Sequence, residues 1–423
     1  MVASMVTPNS PDVAIVGAGI IGLATAWHLL DRGKTVQLID RDGMAMGASH
    51  GNAGAFAFSD ILPLATSGVW RKLPGWLSDP LGPLSIRPSY LPQMAPWLLR
   101  FWRAGGPDRV AASLAAQGQL MGLARSAMAE MVAGAGLAHM VRHDGSLELY
   151  ESEAEFTASL AGWQAREAAG IGFEHVRGSA LAALQPGLAA RFVAGTFVPA
   201  WQTVSDPYQF AVALGEQALA RGATLLRQSV VAVQPIEGGA ALALDDGSRL
   251  TARHVVIAAG AWSKTLTRAL GDAVPLDTER GYNTTLPVGA FDVRRQLIFG
   301  GHGFVITPLA SGLRIGGAVE LGGLRLPPNF ARSTAMLNKA ALFLPGLRTG
   351  GGTQWMGFRP SMPDSLPVIG ASRASPGIVY AFGHGHLGLT QSAATGRLVA
   401  DLVSGAPPPI DPTPFSPRRF WRG

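Results

Sequence analysis

The stretch that decides the fold is VAIVGAGIIGLATAWHLL, Val13 to Leu30, eighteen residues without a formal charge. Its hydropathy alone also fits a membrane-spanning helix or the apolar part of a signal peptide. The surroundings do not, because Met1–Pro11 contains no Lys or Arg and three glycines fall in the first half of the stretch. The sequence therefore favours an apolar segment buried in protein.

The residues on either side of the glycines predict three elements in order. The β-branched run DVAIV ends at Gly17 and predicts a short buried strand. From Ile20 the apolar residues recur at helical spacing, and DRGK, with Gly33 as a C-cap, predicts the end of that helix. TVQLID then predicts a second strand, which ends at Asp40.

This order of elements is typical of a dinucleotide-binding turn. Gly17 permits the tight turn, Gly19 lets the backbone approach a pyrophosphate, and Gly22 lets the helix pack on the strand. The helix N-terminus offers unpaired N–H groups to phosphates. Asp40, 23 residues after Gly17, can accept hydrogen bonds from a ribose diol. The turn by itself does not show whether the cofactor is FAD or NAD.

Composition limits the possible classes of function. The chain has 423 residues, of which 48% are hydrophobic and 15% charged, as expected for two or three well-packed domains. It has no cysteine, which excludes disulfides, thiolate metal sites and a flavin linked through sulfur. The net charge of +6 comes from dispersed Lys and Arg, and the nine histidines form no metal-ligand motif. The sequence therefore predicts neither a nucleic-acid partner nor a bound metal, and without a GxSxG elbow it does not favour a hydrolase.

Four further places in the chain carry a resemblance to a known family. They are the GASHGNAG loop, VVIAAGAWS at Val255–Ser263, GFRPSMPDSLPVIG, and GHGHLGLTQSAATGR. Together with GAGIIG and LID near the N-terminus, they resemble the D-amino-acid oxidase superfamily of flavoproteins, most closely its bacterial D-amino-acid dehydrogenase branch. The resemblance spans nearly the whole chain, and its C-terminal pair favours FAD over NAD.

The resemblance implies which residues contact FAD. Those along the pyrophosphate and adenosine are Gly17, Ala18, Gly19, Ile21, Gly22, Asp40, Arg41, Val231, Ala259 and Gly260. Those nearer the flavin are Ser49, Asn52, Gly54, Gly385, His386, Leu387, Gly388, Leu389 and Thr390. Some relatives attach FAD to a histidine at the position of His50, but the spacing to the following AG is shifted by one here, which predicts non-covalent FAD. For His384 and His386 a structural hydrogen bond is an alternative to a contact with the flavin.

The resemblance implies one residue at the substrate, and the residues themselves offer two further candidates. Arg359 in MGFRP matches the family arginine that binds the substrate carboxylate, and a planar guanidinium fork suits that role. The alternative is an ion pair between Arg359 and a structural acid such as Asp364. Tyr282 in ERGYN is a candidate to flank the substrate, with core packing as its alternative, and His302 in FGGHGF is a weaker candidate.

The expected reaction is oxidative deamination of a D-amino acid to a 2-oxo acid and ammonia, with hydride transfer from Cα to flavin N5. Oxidation of a secondary amine or imino acid, such as D-proline, hydroxyproline or an N-substituted glycine, is the alternative of the same chemistry. An electron-passing flavoprotein subunit of a larger complex is a further alternative.

The expected fold class is α/β, with α+β character overall. A Rossmann-like FAD-binding domain is predicted over residues 1–60, 205–262 and 350–423. A substrate domain of β-sheet plus helices is predicted to be inserted in two segments, 61–204 and 263–349.

The segment Trp70–Arg103 combines tryptophans, leucines and basic residues, and the tail PRRFWRG is a second basic and aromatic patch. Such segments favour a membrane interface, and packing against the substrate domain is the alternative. A quinone or O2 is expected as electron acceptor. The expected location is cytoplasmic, either free or peripheral on the inner face of the cell membrane.

Overall fold

The structure, a computed structural model, describes residues 10–65 and 81–421. In chain order its strands are β1 Val13–Val16, β2 Val36–Ile39, β3 Ala55–Phe56, β4 Leu84–Ile86, β5 Val141–Arg142, β6 Ser146–Tyr150, β7 Glu174–Val176, β8 Ala194–Val198, β9 Gln202–Val204, β10 Thr224–Leu226, β11 Val230–Ile236, β12 Gly239–Leu244, β13 Arg249–Ala252, β14 His254–Ile257, β15 Asp277–Leu286, β16 Gln296–Phe299, β17 Phe304–Leu309, β18 Gly312–Leu321, β19 Thr353–Ser361, β20 Val368–Ala371 and β21 Ile378–Phe382. The α-helices are α1 Ile20–Asp31, α2 Leu91–Ala104, α3 Pro107–Gly134, α4 Glu153–Ala168, α5 Gly178–Leu184, α6 Pro207–Ala220, α7 Ser263–Ala269, α8 Ala331–Phe343 and α9 Gly388–Ser404.

A six-stranded sheet carries the glycine turn. Its order is β10-β2-β1-β14-β21-β20, and every pair is parallel except β20 with β21. β1 lies inside the sheet, with Val13 opposite Val36 on one side and His254 on the other. All four residues of β1 are buried, as expected for a parallel strand covered on both faces.

Each face of this sheet has its own apolar core. On one face α1, α6 and α9 pack together with α3, and the core includes Leu23, Leu214 and Leu398. On the other face lies the antiparallel sheet β11-β12-β13, whose Val233 and Leu242 pack with Val255 of β14. The parallel sheet is thus covered by helices on one face and by an antiparallel sheet on the other, around the Rossmann-like strand–helix–strand unit that the glycine turn predicts.

A second, larger sheet is built from three regions of the chain. Its order is β19-β15-β18-β17-β16-β6-β8-β7, and β4 pairs with β18. β6 and β16 run parallel, so that Ser146 lies opposite Gln296. β19 extends this sheet to Ser361, beyond residue 349 where the sequence predicts the substrate segment to end, because β19 pairs along its whole length with β15. A core around Leu297, Ile315 and Phe343 packs against this sheet.

The helix starts and stops follow local chemistry. Asp206 caps α6, because its Oδ1 accepts hydrogen bonds from the backbone N–H groups of Tyr208 at 2.9 Å and Gln209 at 3.1 Å. Gly33 follows the end of α1 at a φ of +68°, the left-handed conformation that glycine adopts at a helix C-terminus. Among the described helices, none is long and apolar enough to cross a membrane.

We expect Asp206→Ala to lower the free energy of unfolding by about 1–2 kcal/mol, because the N-terminal N–H groups of α6 lose their acceptor. In the wild-type protein, Asp206 Oδ2 also accepts a hydrogen bond from Ser311 Oγ at 2.7 Å, and the alanine variant loses this bond as well. Asp206→Asn is the matched control, since asparagine caps equally well. Thermal and urea unfolding of the two variants measures the difference, and equal stability would contradict the cap.

Candidate active site

The glycine turn packs without space for a side chain. Gly17 has a φ of +110°, and a Cβ atom there would lie 2.5 Å from the carbonyl oxygen of Ala258. A Cβ atom on Gly22 would overlap the carbonyl oxygen of Gly17. The N-terminus of α1 therefore lies directly beside the end of β1, where it can present N–H groups to an anion.

Two side chains hold the turn in place. Asp40 Oδ2 accepts a hydrogen bond from the backbone N–H of Ala18 at 2.8 Å, and its Oδ1 accepts one from Asp42 at 2.9 Å. Ser49 Oγ accepts a hydrogen bond from Ile20 at 2.9 Å. Asp40 and Ser49 also line a cavity beside the turn, so both are placed for the contacts predicted for them.

The part of the cavity expected to hold the adenosine of FAD is formed by a β-bulge and an aromatic ring. The pairing of β11 with β12 shifts between Val230 and Ala232, which leaves Val231 as the extra residue of a β-bulge. Val231 is 56% exposed and lines the cavity. Arg41 lies over the ring of Trp262, with its guanidinium carbon 4.4 Å from the ring centroid. The sequence reasoning did not single out Trp262, although it lies within the VVIAAGAWS motif.

The GASHGNAG loop is tied to the large sheet. Asn283 Nδ2 donates a hydrogen bond to the carbonyl oxygen of Gly51 at 2.7 Å, and Arg314 Nη1 donates one to Asn52 at 2.7 Å. Within the loop, Asn52 Oδ1 accepts a hydrogen bond from Gly54 at 2.8 Å. Sequence reasoning missed Asn283 and Arg314, because strand residues of these types carry no motif.

His50 does not line the cavity. Its ring lies 4.7 Å from that of Tyr208 and stacks at 6.3 Å on Trp355. This position supports non-covalent FAD, which stays a prediction.

The C-terminal loop presents a helix N-terminus to the same cavity. The first intrahelical bond of α9 joins Gln391 N–H to the carbonyl of Leu387, so the N–H groups of Gly388, Leu389 and Thr390 have no partner within the helix. Thr390 Oγ1 accepts a hydrogen bond from Ala57 at 3.0 Å. The helix dipole therefore favours negative charge at this wall.

One continuous cavity of about 1160 Å³ joins these parts. It exceeds the roughly 300–1,000 Å³ of ordinary small-ligand pockets, which leaves room for a dinucleotide and a small substrate. The predicted cofactor residues on its wall are Gly17, Gly19, Ile21, Asp40, Arg41, Ser49, Asn52, Val231, Ala259, Gly260, Gly385, His386, Leu387, Gly388, Leu389 and Thr390. The other predicted cofactor residues, Ala18, Gly22 and Gly54, do not line the cavity and belong to the turns beside it. The close packing at the glycine turn and the volume of the cavity fit FAD.

Arg359 extends from β19 across the cavity wall. Its Nη1 donates a hydrogen bond to the carbonyl of Ala318 at 3.0 Å, and its Nη2 donates one to Gly317 at 3.4 Å. A Cβ atom on Gly281 would lie 2.5 Å from Nη2, so glycine lets the guanidinium lie flat over β15. Burial lowers the pKa of Arg359, while the negative charge of Glu279 opposes this shift.

Arg359 makes no ion pair with a carboxylate among the residues that the structure describes. Asp364, the acid considered as its structural partner, instead accepts a hydrogen bond from Arg419 Nε at 2.8 Å. An unpaired guanidinium on a cavity wall is costly unless an anion binds there. The arrangement therefore favours a carboxylate ligand.

Tyr282 and His302 are both engaged with glutamates. The Tyr282 hydroxyl donates to Glu320 Oε2 at 2.5 Å and accepts from the Asn329 N–H at 3.0 Å. The Tyr282 side chain is only 1% exposed and belongs to the apolar core of the large sheet, although it reaches the cavity wall. His302 Nε2 bonds to Glu151, and His302 does not line the cavity. These positions favour packing for Tyr282 and a structural bond for His302.

The two histidines of the C-terminal loop differ in pKa. Burial lowers the pKa of His384 to about 3, and its Nε2 bonds to Thr395 Oγ1 at 2.8 Å. His386 Nε2 bonds to Asp60 Oδ2 at 2.9 Å. Burial lowers the pKa of His386, but the bond and charge of Asp60 outweigh burial and raise it overall. His384 is therefore neutral, whereas Asp60 favours the protonated form of His386 on the cavity wall.

The comparisons with known proteins identify the family of this chain. A model of the family described as FAD dependent oxidoreductase matches residues 12–402, and the chain belongs to that family. It is 37% identical to a D-amino-acid oxidase of Bradyrhizobium diazoefficiens over 423 residues, covering 98% of this chain and 100% of the relative. It is 31% identical to a D-amino acid dehydrogenase of Rhizobium rhizogenes, covering 96% and 99%.

Solved structures share the fold. A glycine oxidase from Geobacillus kaustophilus superposes with a TM-score of 0.76 at 22% identity, covering 98% of this chain and 100% of that one. An iminodiacetate oxidase from a Chelativorans species gives a TM-score of 0.73 at 22% identity, covering 96% and 98%. The predicted fold class, the flavoprotein family and FAD as cofactor are thereby confirmed. The protein is an FAD-dependent oxidoreductase.

We expect Gly22→Ala to lose FAD, because the added methyl group overlaps the Gly17 carbonyl and pushes α1 away from the turn. The ratio of flavin to protein absorbance after purification measures the loss. Gly118→Ala is the matched control, since it lies within α3 with no atom near its Cβ position and gains helix propensity. Full flavin content in Gly22→Ala would contradict the proposed role of the turn.

Proposed function

We propose that this protein oxidises D-amino acids to 2-oxo acids and ammonia. The observation that carries the proposal is Arg359, an unpaired guanidinium held on the wall of a cavity that fits FAD. The D-amino-acid oxidase and dehydrogenase named among the relatives support the substrate class and its stereochemistry. When bound, FAD would supply the acceptor for the hydride that leaves Cα of the substrate. The imine product then takes up water and releases ammonia.

Arg359 binds and orients the substrate in this proposal. Two of its N–H groups are used by the carbonyls of Gly317 and Ala318, which fixes the plane of the guanidinium. Its remaining N–H groups can hold a carboxylate by charge-assisted hydrogen bonds. A substrate held at its carboxylate has its Cα–H bond presented in one orientation, and this orientation contributes to the rate.

The C-terminal loop favours negative charge in the neighbouring part of the cavity. The N–H groups at the start of α9 that have no partner within the helix support this effect, and so does the raised pKa of His386. Asp60 raises the pKa of His386 through its negative charge and the hydrogen bond between them. His384 stays neutral and holds the loop to α9 through Thr395.

We expect Arg359→Ala to reduce kcat/KM for D-amino acids by about 30-fold or more, since losing a buried charged anchor costs about 2–5 kcal/mol. Arg359→Lys keeps the charge but loses the planar fork, so we expect an intermediate value. Both variants should retain the flavin absorbance spectrum. Normal kinetics in Arg359→Ala would overturn its assignment.

Anaerobic bleaching of the flavin tests the substrate class directly. The holoenzyme is mixed with D-amino acids, their L-enantiomers, and D-proline, hydroxyproline and N-substituted glycines. Bleaching by primary D-amino acids alone is the expected result. Bleaching by the secondary amines instead would replace the proposal with the corresponding alternative, and no bleaching at all would favour an electron-passing subunit.

We also propose that the acceptor is a membrane quinone, reached from the inner face of the cell membrane. The part Trp70–Pro80 of the predicted membrane segment lies outside the described residues. The helix α2 within the same segment exposes Leu99 at 48% and Trp102 at 59%, with Arg100 and Arg103 also exposed. Exposed leucine and tryptophan beside arginine are typical of a helix at a membrane surface.

We expect the double variant Leu99→Ser and Trp102→Ser to bind vesicles of phosphatidylethanolamine and phosphatidylglycerol at least tenfold more weakly, since each apolar side chain contributes roughly 1.5–3 kcal/mol when fully buried. Leu342→Ser is the control, because Leu342 is 64% exposed on α8 in a different part of the protein. Flotation measures binding, and reduction of a soluble quinone without oxygen measures the acceptor. Fast turnover with O2 and none with quinone would contradict this proposal.

A further inference from the structure

One face of the strands β6 and β16 forms a polar strip on the cavity wall. Ser146 lies opposite Gln296, and Glu148 lies opposite Ile298, in a parallel register. Because side chains alternate along a strand, these four residues share one face. All four line the cavity.

Two oxygen atoms of this strip have no hydrogen-bond partner among the described residues. They are Ser146 Oγ and Gln296 Oε1, on side chains that are 1% and 2% exposed. Buried polar atoms are nearly always hydrogen-bonded in folded proteins. Both residues line the cavity, so a hydrogen-bond donor bound there is a candidate partner for these two atoms.

Glu148 adds a carboxylate to the same strip. Its Oε1 lies 3.1 Å from the position that a Cβ atom of Gly300 would take, so the side chain leans over β16. Among the residues that the structure describes, Glu148 has no ion-pair partner within 4.0 Å. Burial raises the pKa of Glu148 to about 7, with Asp60 and Glu155 adding to the shift and Arg166 opposing it.

The positive charge that acts on Glu148 is that of Arg166, which already interacts with other groups. Arg166 donates a hydrogen bond to the carbonyl of Ser59 at 3.0 Å and lies 4.0 Å from Asp60. Its guanidinium carbon also stacks 4.6 Å from the ring centroid of Trp163. Because Asp60 also pairs with His386, Glu148 is the unpaired carboxyl group at this end of the cavity among the described residues, whereas Arg359 is the unpaired guanidinium at the other end.

The separation between Arg359 and Glu148 suits a long substrate. The Arg359 guanidinium lies at β18, and Glu148 leans from β6 over β16. The strands β18, β17 and β16 are consecutive neighbours, so the span is about two strand spacings, or roughly 10 Å. The rings of Trp163 and Trp201 also line the cavity, with Trp163 against Arg166, and can cover an aliphatic chain.

We propose that Glu148, Ser146 and Gln296 form a subsite for the cationic end of the substrate side chain, so that the enzyme prefers D-amino acids with a terminal ammonium or guanidinium group. This inference rests on the proposed oxidation of D-amino acids with the carboxylate at Arg359. The cation donates hydrogen bonds to the three oxygen-bearing side chains and supplies the charge that Glu148 lacks.

The main experiment compares D-lysine with D-norleucine, which differ only in the terminal amine. We expect wild-type kcat/KM to be higher for D-lysine, and the ratio of the two values to fall at least tenfold in Glu148→Gln. Glutamine keeps the shape of the side chain and removes its charge. Glu153→Gln is the matched control, because Glu153 on α4 is exposed and pairs with Arg177 away from the cavity.

The outcomes separate the two proposals. If the wild-type holoenzyme oxidises no D-amino acid, the proposed function fails. If it oxidises D-norleucine at least as well as D-lysine, or if the ratio falls less than tenfold in Glu148→Gln, only the subsite is overturned. Flavin absorbance and thermal unfolding are measured on each variant to show that it is folded and loaded.

Two measurements on the wild-type enzyme do not depend on any variant. The ratio for D-lysine over D-norleucine should rise with pH through about 7, because Glu148 gains its charge while the lysine ammonium, with a pKa of about 10.4, stays protonated. The titratable and charged groups around Glu148 are Asp60, Tyr150, Glu155 and Arg166. Calorimetry should also show tighter binding of ε-aminocaproate than of caproate, neither of which has an α-amine to oxidise. A ratio independent of pH, or equal binding of the two acids, would overturn the subsite.

Discussion

The hydrogen bonds between the GASHGNAG loop and the large sheet connect the two halves of the site. Asn283 and Arg314 donate from neighbouring strands to consecutive carbonyls, those of Gly51 and Asn52. A Cβ atom on Gly51 would overlap the ring of Trp355, so the loop lies directly on the sheet. The cavity exists because this contact brings the glycine turn of one sheet beside the wall formed by the other.

Much of the cofactor half could be predicted because its requirements are local. A tight turn, a helix N-terminus and an acid at the end of the next strand follow one another in the sequence, and each has a fixed spacing. Gly17, Gly22 and Asp40 take the positions that their motif implies. The role of Ser49 as an acceptor for Ile20 was not foreseen, because it depends on how the loop folds back onto α1.

The substrate half was less predictable because strand pairing between distant residues forms it. Arg359 could be found from its motif, but its acceptors lie on β18, about forty residues earlier in the chain. Glu148 and Gln296 come together only through the parallel pairing of β6 with β16. Tyr282 and His302 could be noticed by residue type, but the sequence does not show that Glu320 and Glu151 engage them.

The position of Arg359 depends on an irregularity in β18. The pairing with β15 shifts between Arg280 and Tyr282, and opposite that shift Ala318 takes a φ of +54°. Such a conformation is costly for a residue other than glycine and persists only where the surroundings hold it. Here it lets two successive carbonyls, Gly317 and Ala318, accept from one guanidinium. The backbone strain and the unpaired charge of Arg359 thus belong to one arrangement, which the carboxylate that we propose to bind there would stabilise.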